Sequence, residues 1–421
     1  MPLVKTFSCL ALLALIATHS AHAADEAPDD ADALTLADKA PAEKAEARSW
    51  RLYVEGGIGR RWQRDPASDW NASRGAIDFR YDDTLAPGLR AVLSNRYDVL
   101  HDFSEPGEES FNSLREAYLS WQYSPELNVD AGRINLRYGS AWGFNPTDFF
   151  KANALRVVVL PDPTSLRENR QGTVALQMQQ LWADSAVSAA YSPRLDRTPS
   201  DSTFSLDLGS TNDRNRWLLA ASHKFGERFA PQALLYGGED TPVQLGLNAS
   251  GLLGSATVAF AEFSIGKGRT LIDQALAREG IESTRGRGAM GLTYTTEFNL
   301  SVTAEADYSS AAPDRAQWDA LGPMERLQFL ATAQSLQELP VRHAAFLHAT
   351  WKDVVIRQLD LTGFVRFDTT THSRSQWLEL RHRWDRVEAA LQCQLYSGNA
   401  DTLFGAVPQH RMVEFSLRFF L

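Results

Sequence analysis

Cysteine is almost absent from this chain: its 421 residues carry Cys9 and Cys393 and no other thiol. With Cys9 inside the N-terminal leader, no internal disulfide can form in the rest, which excludes the small stapled domains of secreted proteins. Long apolar runs are missing as well. The one marked apolar stretch, from about Leu10 to Ala17, is too short to cross a hydrocarbon layer of ~30 Å as a helix, and nothing after it resembles a helical span. Basic tails and stripes are lacking and the formal net charge is -10, so nucleic acid is set aside as a partner. No Pro-rich or Ser-rich linker divides the chain after Ser49.

What is present begins with "MPLVKTFSCLALLALIATHSAHA": one Lys, the short apolar core, and Ala-His-Ala before Ala24. The pattern is that of a secretory signal peptide over residues 1–23, with cleavage expected after Ala23. Cys9 precedes the apolar core, which argues against a lipoprotein anchor. Residues 24–48 hold eight acids against three bases and no aromatics, the composition of a mobile acidic leader in the periplasm. Residues 49–421 read as one domain of about 370 residues, beyond the usual size of a single soluble core. An exported chain of this kind belongs in a bacterial envelope, and its domain is either several layers or a closed barrel.

Alternation with a period of two runs through that domain. "AIDFRYD" sets Ile77, Phe79 and Tyr81 against Asp78, Arg80 and Asp82. "EAYLSWQY" sets Ala117, Leu119, Trp121 and Tyr123 against Glu116, Tyr118, Ser120 and Gln122. Soluble sandwiches alternate too, so the connections decide. Tight ones at Thr84–Gly88, "YSPEL", "WADSA", "FGERF", "GLLGS", "TEFNL", "WKDV" and "WDRV" take turns with longer polar segments, among them 103–110, 140–170, 193–213 and 310–340. Short periplasmic turns alternating with long outer loops mark transmembrane barrels. The expected fold is therefore all-β, a transmembrane antiparallel β-barrel of about 18 strands (16–18), each of ~9–11 residues. Trp121, Tyr123, Trp182, Phe229, Phe298, Trp351 and Trp384 sit beside the tight turns, where an interfacial girdle belongs.

The C-terminal "RMVEFSLRFFL" puts Val413, Phe415, Leu417, Phe419 and Leu421 on one face. It resembles the terminal strand that outer-membrane proteins present to the barrel-assembly machinery, with Leu421 where an aromatic residue usually ends the chain. The stretch "REAYLSWQYSPELNVDAGRINLRYGSAWGFNPTDFF" resembles a group of porin-like outer-membrane proteins that includes alginate-export-type channels and relatives of uncharacterised substrate. The motif-level likeness covers Leu114 to Phe150. It implies an 18-stranded barrel narrowed by folded-in loops, with Glu116 and Arg133 facing the lumen. Outer-membrane lipid and the assembly machinery are the expected partners.

Alternation assigns Arg90, Arg96, Glu116, Arg133, Arg137, Glu379 and Arg381 to the lumen, together with Asp78, Arg80, Asp98, Asp360, Arg366 and Arg383. The segment 140–170 is expected to fold inward, wedged by Trp142, Phe144, Phe149 and Phe150, and to offer Asp148, Lys151 and Arg156 to the passage. Rings of charge at a constriction set solute selectivity; the plainer alternative is cross-strand ladders that only stiffen the wall. Helical patterns in Pro313–Leu339 and "RTLIDQALAREG" are expected to pack on the outer rim. Enzymatic readings fail on geometry. Glu379 and His382 point to opposite faces of a strand, Asn215, Ser222 and His223 lack a supporting motif, and neither zinc nor phosphate-loop spacing occurs. No catalytic, metal-ligating or cofactor-binding residue is assigned. The expected function is a passive channel for small hydrophilic or charged solutes. The alternatives are an exit duct for polysaccharide or lipid working with a periplasmic or inner-membrane exporter, and a non-conducting structural barrel.

Overall fold

The computed structural model describes residues 48–102, 108–158, 160–226 and 228–421. The segments read as signal peptide (1–23) and, Arg48 apart, acidic leader (24–48) lie outside the described residues. Eighteen strands follow one another: β1 (Trp50–Gln63), β2 (Trp70–Ala86), β3 (Leu89–Asp102), β4 (Glu108–Gln122), β5 (Leu127–Ile134), β6 (Thr173–Leu181), β7 (Ser185–Ser192), β8 (Arg216–His223) and β9 (Phe229–Gly238) form the first half. The second half comprises β10 (Thr241–Leu252), β11 (Thr257–Gly268), β12 (Ser283–Thr295), β13 (Leu300–Ser309), β14 (His343–Trp351), β15 (Leu359–Asp368), β16 (Ser373–Arg383), β17 (Val387–Ser397) and β18 (Gln409–Phe420). Each strand pairs antiparallel with its neighbours in sequence, and β1 pairs with both β2 and β18, so the sheet closes on itself. Closure removes every free edge.

The strand pattern in the sequence becomes the two surfaces of the wall. Val54, Ile58, Ile77, Leu119, Leu176, Leu245, Met290, Leu391 and Phe415 are exposed on the outside, Ile58 to 66%. Their alternating partners are buried and polar, among them Glu55, Asp78, Arg96, Glu262, Glu305, Glu379 and Glu414. A continuous apolar exterior over a charged interior is stable only when lipid covers the outside. On β1 the outward Trp50 and Trp62 mark the two borders. Twelve residues at ~3.3 Å each, tilted ~40°, give an apolar band of ~30 Å.

Short turns close one end and long loops the other. The short series includes residues 87–88, 182–184, 296–299 and 384–386; the long series includes 135–172, 193–215, 269–282, 310–342 and 398–408. The expected helices are present at the long-loop end as α3 (Leu271–Ala275), α4 (Arg315–Asp319) and α5 (Pro323–Ser335), after α1 (Pro163–Glu168) and α2 (Leu208–Thr211). Asp314 caps α4 in a capping box with Gln317. The loop helices gather Leu271, Trp318, Phe329, Leu339, Val341 and Leu403 into one apolar cluster that also takes in Phe144. Trp318 is fully buried there, and its indole N–H donates to the Asp401 carbonyl at 2.6 Å.

One irregularity matters for the interior. Between β3 and β4 the register steps from Ser94↔Glu116 to Asn95↔Leu114, leaving Arg115 as the extra residue of a bulge. Arg115 and Glu116 therefore both turn inward. Opposite, Gly132 sits at φ +135, where an added Cβ would lie 2.3 Å from the Ala117 carbonyl oxygen; only glycine fits there.

Candidate functional site

An 18-stranded wall with strands ~4.8 Å apart and tilted ~40° is ~35 Å across between backbones, too wide for its own side chains to fill. Residues 135–172, between β5 and β6, enter that space. Leu136 and Phe150 pack with Ala175, Ala190, Leu218, Leu234 and Tyr236 on the inner wall of β6–β9, and Phe149 stacks on Tyr236 with ring centroids 4.7 Å apart. At Gly139 the chain turns with φ +89 so close to Glu262 that a Cβ would lie 2.4 Å from its carboxylate oxygens. Beyond that turn the backbone is held by two wall carboxylates. Glu262 accepts from the Ala141 N–H at 2.5 Å and from the Thr147 hydroxyl at 3.1 Å. Glu305 accepts from the N–H groups of Trp142, Gly143 and Phe144 at 2.7, 2.9 and 3.0 Å.

These contacts answer a physical need. A segment without regular structure carries unpaired amides and carbonyls that must find partners once buried. The wall supplies carboxylates for the amides, and guanidinium groups take the carbonyls: Arg366 donates to Gly143 at 2.5 Å, and Arg167 to Ala141. Trp142 continues across to stack on His348, 4.7 Å between centroids, beside Phe346, Phe364 and Trp377. The loop thus spans the lumen from β5–β9 to β10–β16. On the near side Asn169 returns to Arg115 of β4 at 3.0 Å. The sector β16–β18 and β1–β4 carries a charge ladder instead. Its linked groups run from Glu379, Arg381, Glu388 and Arg418 through Glu55, Arg74 and Glu414 to Arg96, Asp98, Asp78 and Arg115.

Of the residues expected at the constriction, Arg90, Arg96, Glu116, Glu379 and Arg381 do face inward, and all are paired. Arg90 binds Asp82 at 2.5 Å, Glu116 accepts from Arg80 at 2.6 Å, and Arg381 bridges Glu379 and Glu388 at 2.8 and 2.7 Å. They are members of cross-strand ion-pair ladders. Asp148 is buried inside the loop against Arg170 at 2.7 Å. Lys151 is also buried, donating to the Asn145 carbonyl at 2.8 Å and lying 3.6 Å from Glu338 and over the Phe144 ring. Burial pulls its ammonium below the ordinary lysine value, with Glu338 opposing. Neither group is offered to the passage.

Two expectations are corrected. Arg133 pairs with Ala117 in the register, which puts it on the outward face with Leu119 and Ala131. It is buried there beneath the β7–β8 loop, donating to the carbonyls of Leu114 and Leu206 at 3.0 and 2.6 Å. Arg156 is likewise taken up by backbone, donating to the carbonyls of Asn112, Ser200, Ser202, Thr203 and Ser205 with its guanidinium over the Phe111 ring. Both arginines pin outer loops. Arg137 differs: Leu136 and Tyr138 pack toward the wall, so the residue between them points away from it. Of the ten side chains expected at the constriction, it is the exposed one that makes no hydrogen bond or ion pair among the described residues.

Sequence reasoning passed over Glu262 and Glu305. Both alternate visibly, in "FAEFS" and "TAEADYS", yet nothing local says that their partners are amides from a distant loop. Arg115 could not be found by alternation, because the bulge breaks the period. The Asn215–Ser222–His223 group is not assembled: His223 bonds Ser185 at 2.8 Å, while Asn215 bonds Glu239 at 3.0 Å.

Replacing Glu305 by Ala strips the acceptor from three loop amides, one buried and two half-buried, where charge-assisted bonds are worth ~1.5–3 kcal/mol each. Single-channel recordings of Glu305→Ala are expected to show larger and flickering currents, with Glu305→Gln in between. Traces like those of the parent would show that this carboxylate does not hold the loop.

Geometry alone defines the class: a closed antiparallel 18-stranded barrel whose lumen is crossed by one inward-folded loop, the architecture of porins. No protein-family model matches the chain, and no curated protein matches it by sequence. Among solved structures it is similar to OccK5 (OpdH) of Pseudomonas aeruginosa, at 10% identity and a TM-score of 0.53 over 88% of this chain and 97% of that one. It is similar to OccAB1 of Acinetobacter baumannii, at 9% identity and a TM-score of 0.55 over 88% and 96%. A BenF-like porin of Pseudomonas fluorescens Pf-5 matches at 10% identity and a TM-score of 0.54 over 89% and 98%. The shared feature is the fold. These comparisons do not show the finer likeness to alginate-export-type channels.

Proposed function

We propose that this protein is a passive channel of the bacterial outer membrane for small hydrophilic or charged solutes, narrowed by residues 135–172. The short-turn end faces the periplasm and the long-loop end the outside. A cleaved signal peptide exports the chain, and the strand ending at Leu421 is read by the assembly machinery. The observation that carries the reading is the loop bonded across the lumen beside a wall sector of charged side chains. The porin fold of OccK5, OccAB1 and the BenF-like protein supports it. Passage by diffusion requires no bond-breaking chemistry and no cofactor.

Planar-bilayer recording of the purified barrel tests this reading, with steady open pores expected. Arg137→Glu is expected to shift the reversal potential towards cations, because it inverts an exposed charge without breaking an ion pair. Arg133→Glu is expected to leave the reversal potential unchanged in every barrel that inserts. An unaltered potential in Arg137→Glu would remove that residue from the pathway. An exporter-coupled duct would conduct only once its loop is removed, and a structural barrel in neither form.

A further inference from the structure

The outer wall carries a cluster that solute passage does not use. On β1 the outward series Val54, Ile58, Arg60 and Trp62 ends at the long-loop border of the apolar band. There the Arg411 guanidinium carbon lies 4.0 Å from the Trp62 ring centroid, and that of Arg60 lies 5.4 Å from it. The register sets Trp62 beside Arg411, Arg411 beside Leu395, and Leu395 beside Gln376. Arg374, exposed two residues from Gln376 on the same outward face, is then ~12 Å from Arg411 by strand spacing and rise. Among the described residues, Arg60 is the one of these three arginines with an acid nearby, Asp69 at 3.8 Å. Outward positions near the same border on β7, β13 and β15 are Tyr191, Tyr308 and Phe367, girdle aromatics without a charge.

Two guanidinium groups against one indole repel each other, and the ring quadrupole offsets only part of that. An anion between them would remove the repulsion and take paired N–H donors in the fork geometry that suits a phosphate. Directly below lie Ile58, Val413, Phe415 and Leu417, all outward on β1 and β18. A ligand that fits has phosphate at the top and acyl chains beneath it. We infer that Arg60, Trp62, Arg374 and Arg411 form a site for the phosphorylated headgroup of an outer-leaflet glycolipid. The inference rests on the outer-membrane reading above.

Native mass spectrometry of the full barrel in detergent, with bisphosphorylated lipid A as the probe, tests it. The parent is expected to retain one lipid A through detergent exchange. Arg411→Ala alone should retain it about tenfold more weakly, the effect of one lost charge-assisted bond, and the triple variant Arg60→Ala/Arg374→Ala/Arg411→Ala more weakly still. Dephosphorylated lipid A should be lost from the parent to the same extent, and excess inorganic phosphate should not displace the phosphorylated lipid. Equal retention by the variants, equal retention of the dephosphorylated lipid, or displacement by inorganic phosphate would each overturn the site. Conductance separates the two readings. Variants that conduct like the parent but lose lipid A support the site, whereas a parent that conducts without retaining lipid A refutes the site and leaves the channel standing.

Discussion

Excising residues 141–169 and bridging the gap with a flexible Gly-Ser linker is expected to raise single-channel conductance several-fold and to turn the pore towards cations. The excision touches no strand, so the closed hydrogen-bond ladder that holds the barrel together remains. What leaves is the material that fills a ~35 Å wall: Trp142, Phe144, Phe149 and Phe150, which pack on three sides of the lumen. The excised stretch carries Asp148, Asp162 and Glu168 against Lys151, Arg156 and Arg167, three acids and three bases, so its own charge is zero. The change in selectivity comes from the wall. Glu262 and Glu305 now spend their charge on loop amides, and the neighbouring Asp307, 3% exposed, has no hydrogen-bond partner on either oxygen among the described residues. Without the loop these carboxylates face the pore water and attract cations. Conductance and reversal potential in asymmetric salt measure both effects. A barrel that conducts as before would place the loop outside the solute path.

The barrel itself was open to reading because each of its determinants is local. Alternation of Ile77, Phe79 and Tyr81 with Asp78, Arg80 and Asp82 needs no distant partner, and neither do tight turns such as Pro87–Gly88. Even the brief link at 239–240 falls in the long-loop series by counting. The inward fold of the segment after β5 was legible for a related reason: so long and aromatic an insert has nowhere else to bury its rings. The chemistry of its charged residues was not. Lys151 and Arg156 look like groups offered to solute, but an irregular segment exposes carbonyls, and long cationic side chains are what satisfies them. Arg133 shares the outward face of β5 with Leu127, Val129 and Ala131, and grouping it with Arg137 carries the alternation past Ile134, where the strand ends. Pairings over 160 residues, such as Trp142 to Glu305, leave no trace in a period-two pattern.

Arg96→Met is expected to be among the most damaging single substitutions in the wall. Arg96 is 4% exposed and donates to Asp98 at 2.9 Å, to the Tyr53 hydroxyl at 3.0 Å and to Glu55 at 3.3 Å, with Asp78 at 3.7 Å. Its neighbours are not equally dependent on it. Glu55 keeps Arg74 and Arg418, and Asp78 keeps Arg115. Asp98 is 1% exposed and has Arg96 as its ion-pair partner, so the substitution leaves a buried carboxylate unpaired. Breaking a buried pair from one side costs ~3–5 kcal/mol, whereas removing both charges costs far less. Arg96→Met/Asp98→Leu should therefore recover much of the loss, a coupling that a double-mutant cycle reads directly. Urea unfolding of the folded barrel in lipid vesicles, followed by Trp fluorescence, supplies the free energies. A single variant within ~1 kcal/mol of the parent, or a double variant no more stable than the single, would mean that water reaches Asp98. Arg96 would then belong to the solute path rather than to the wall.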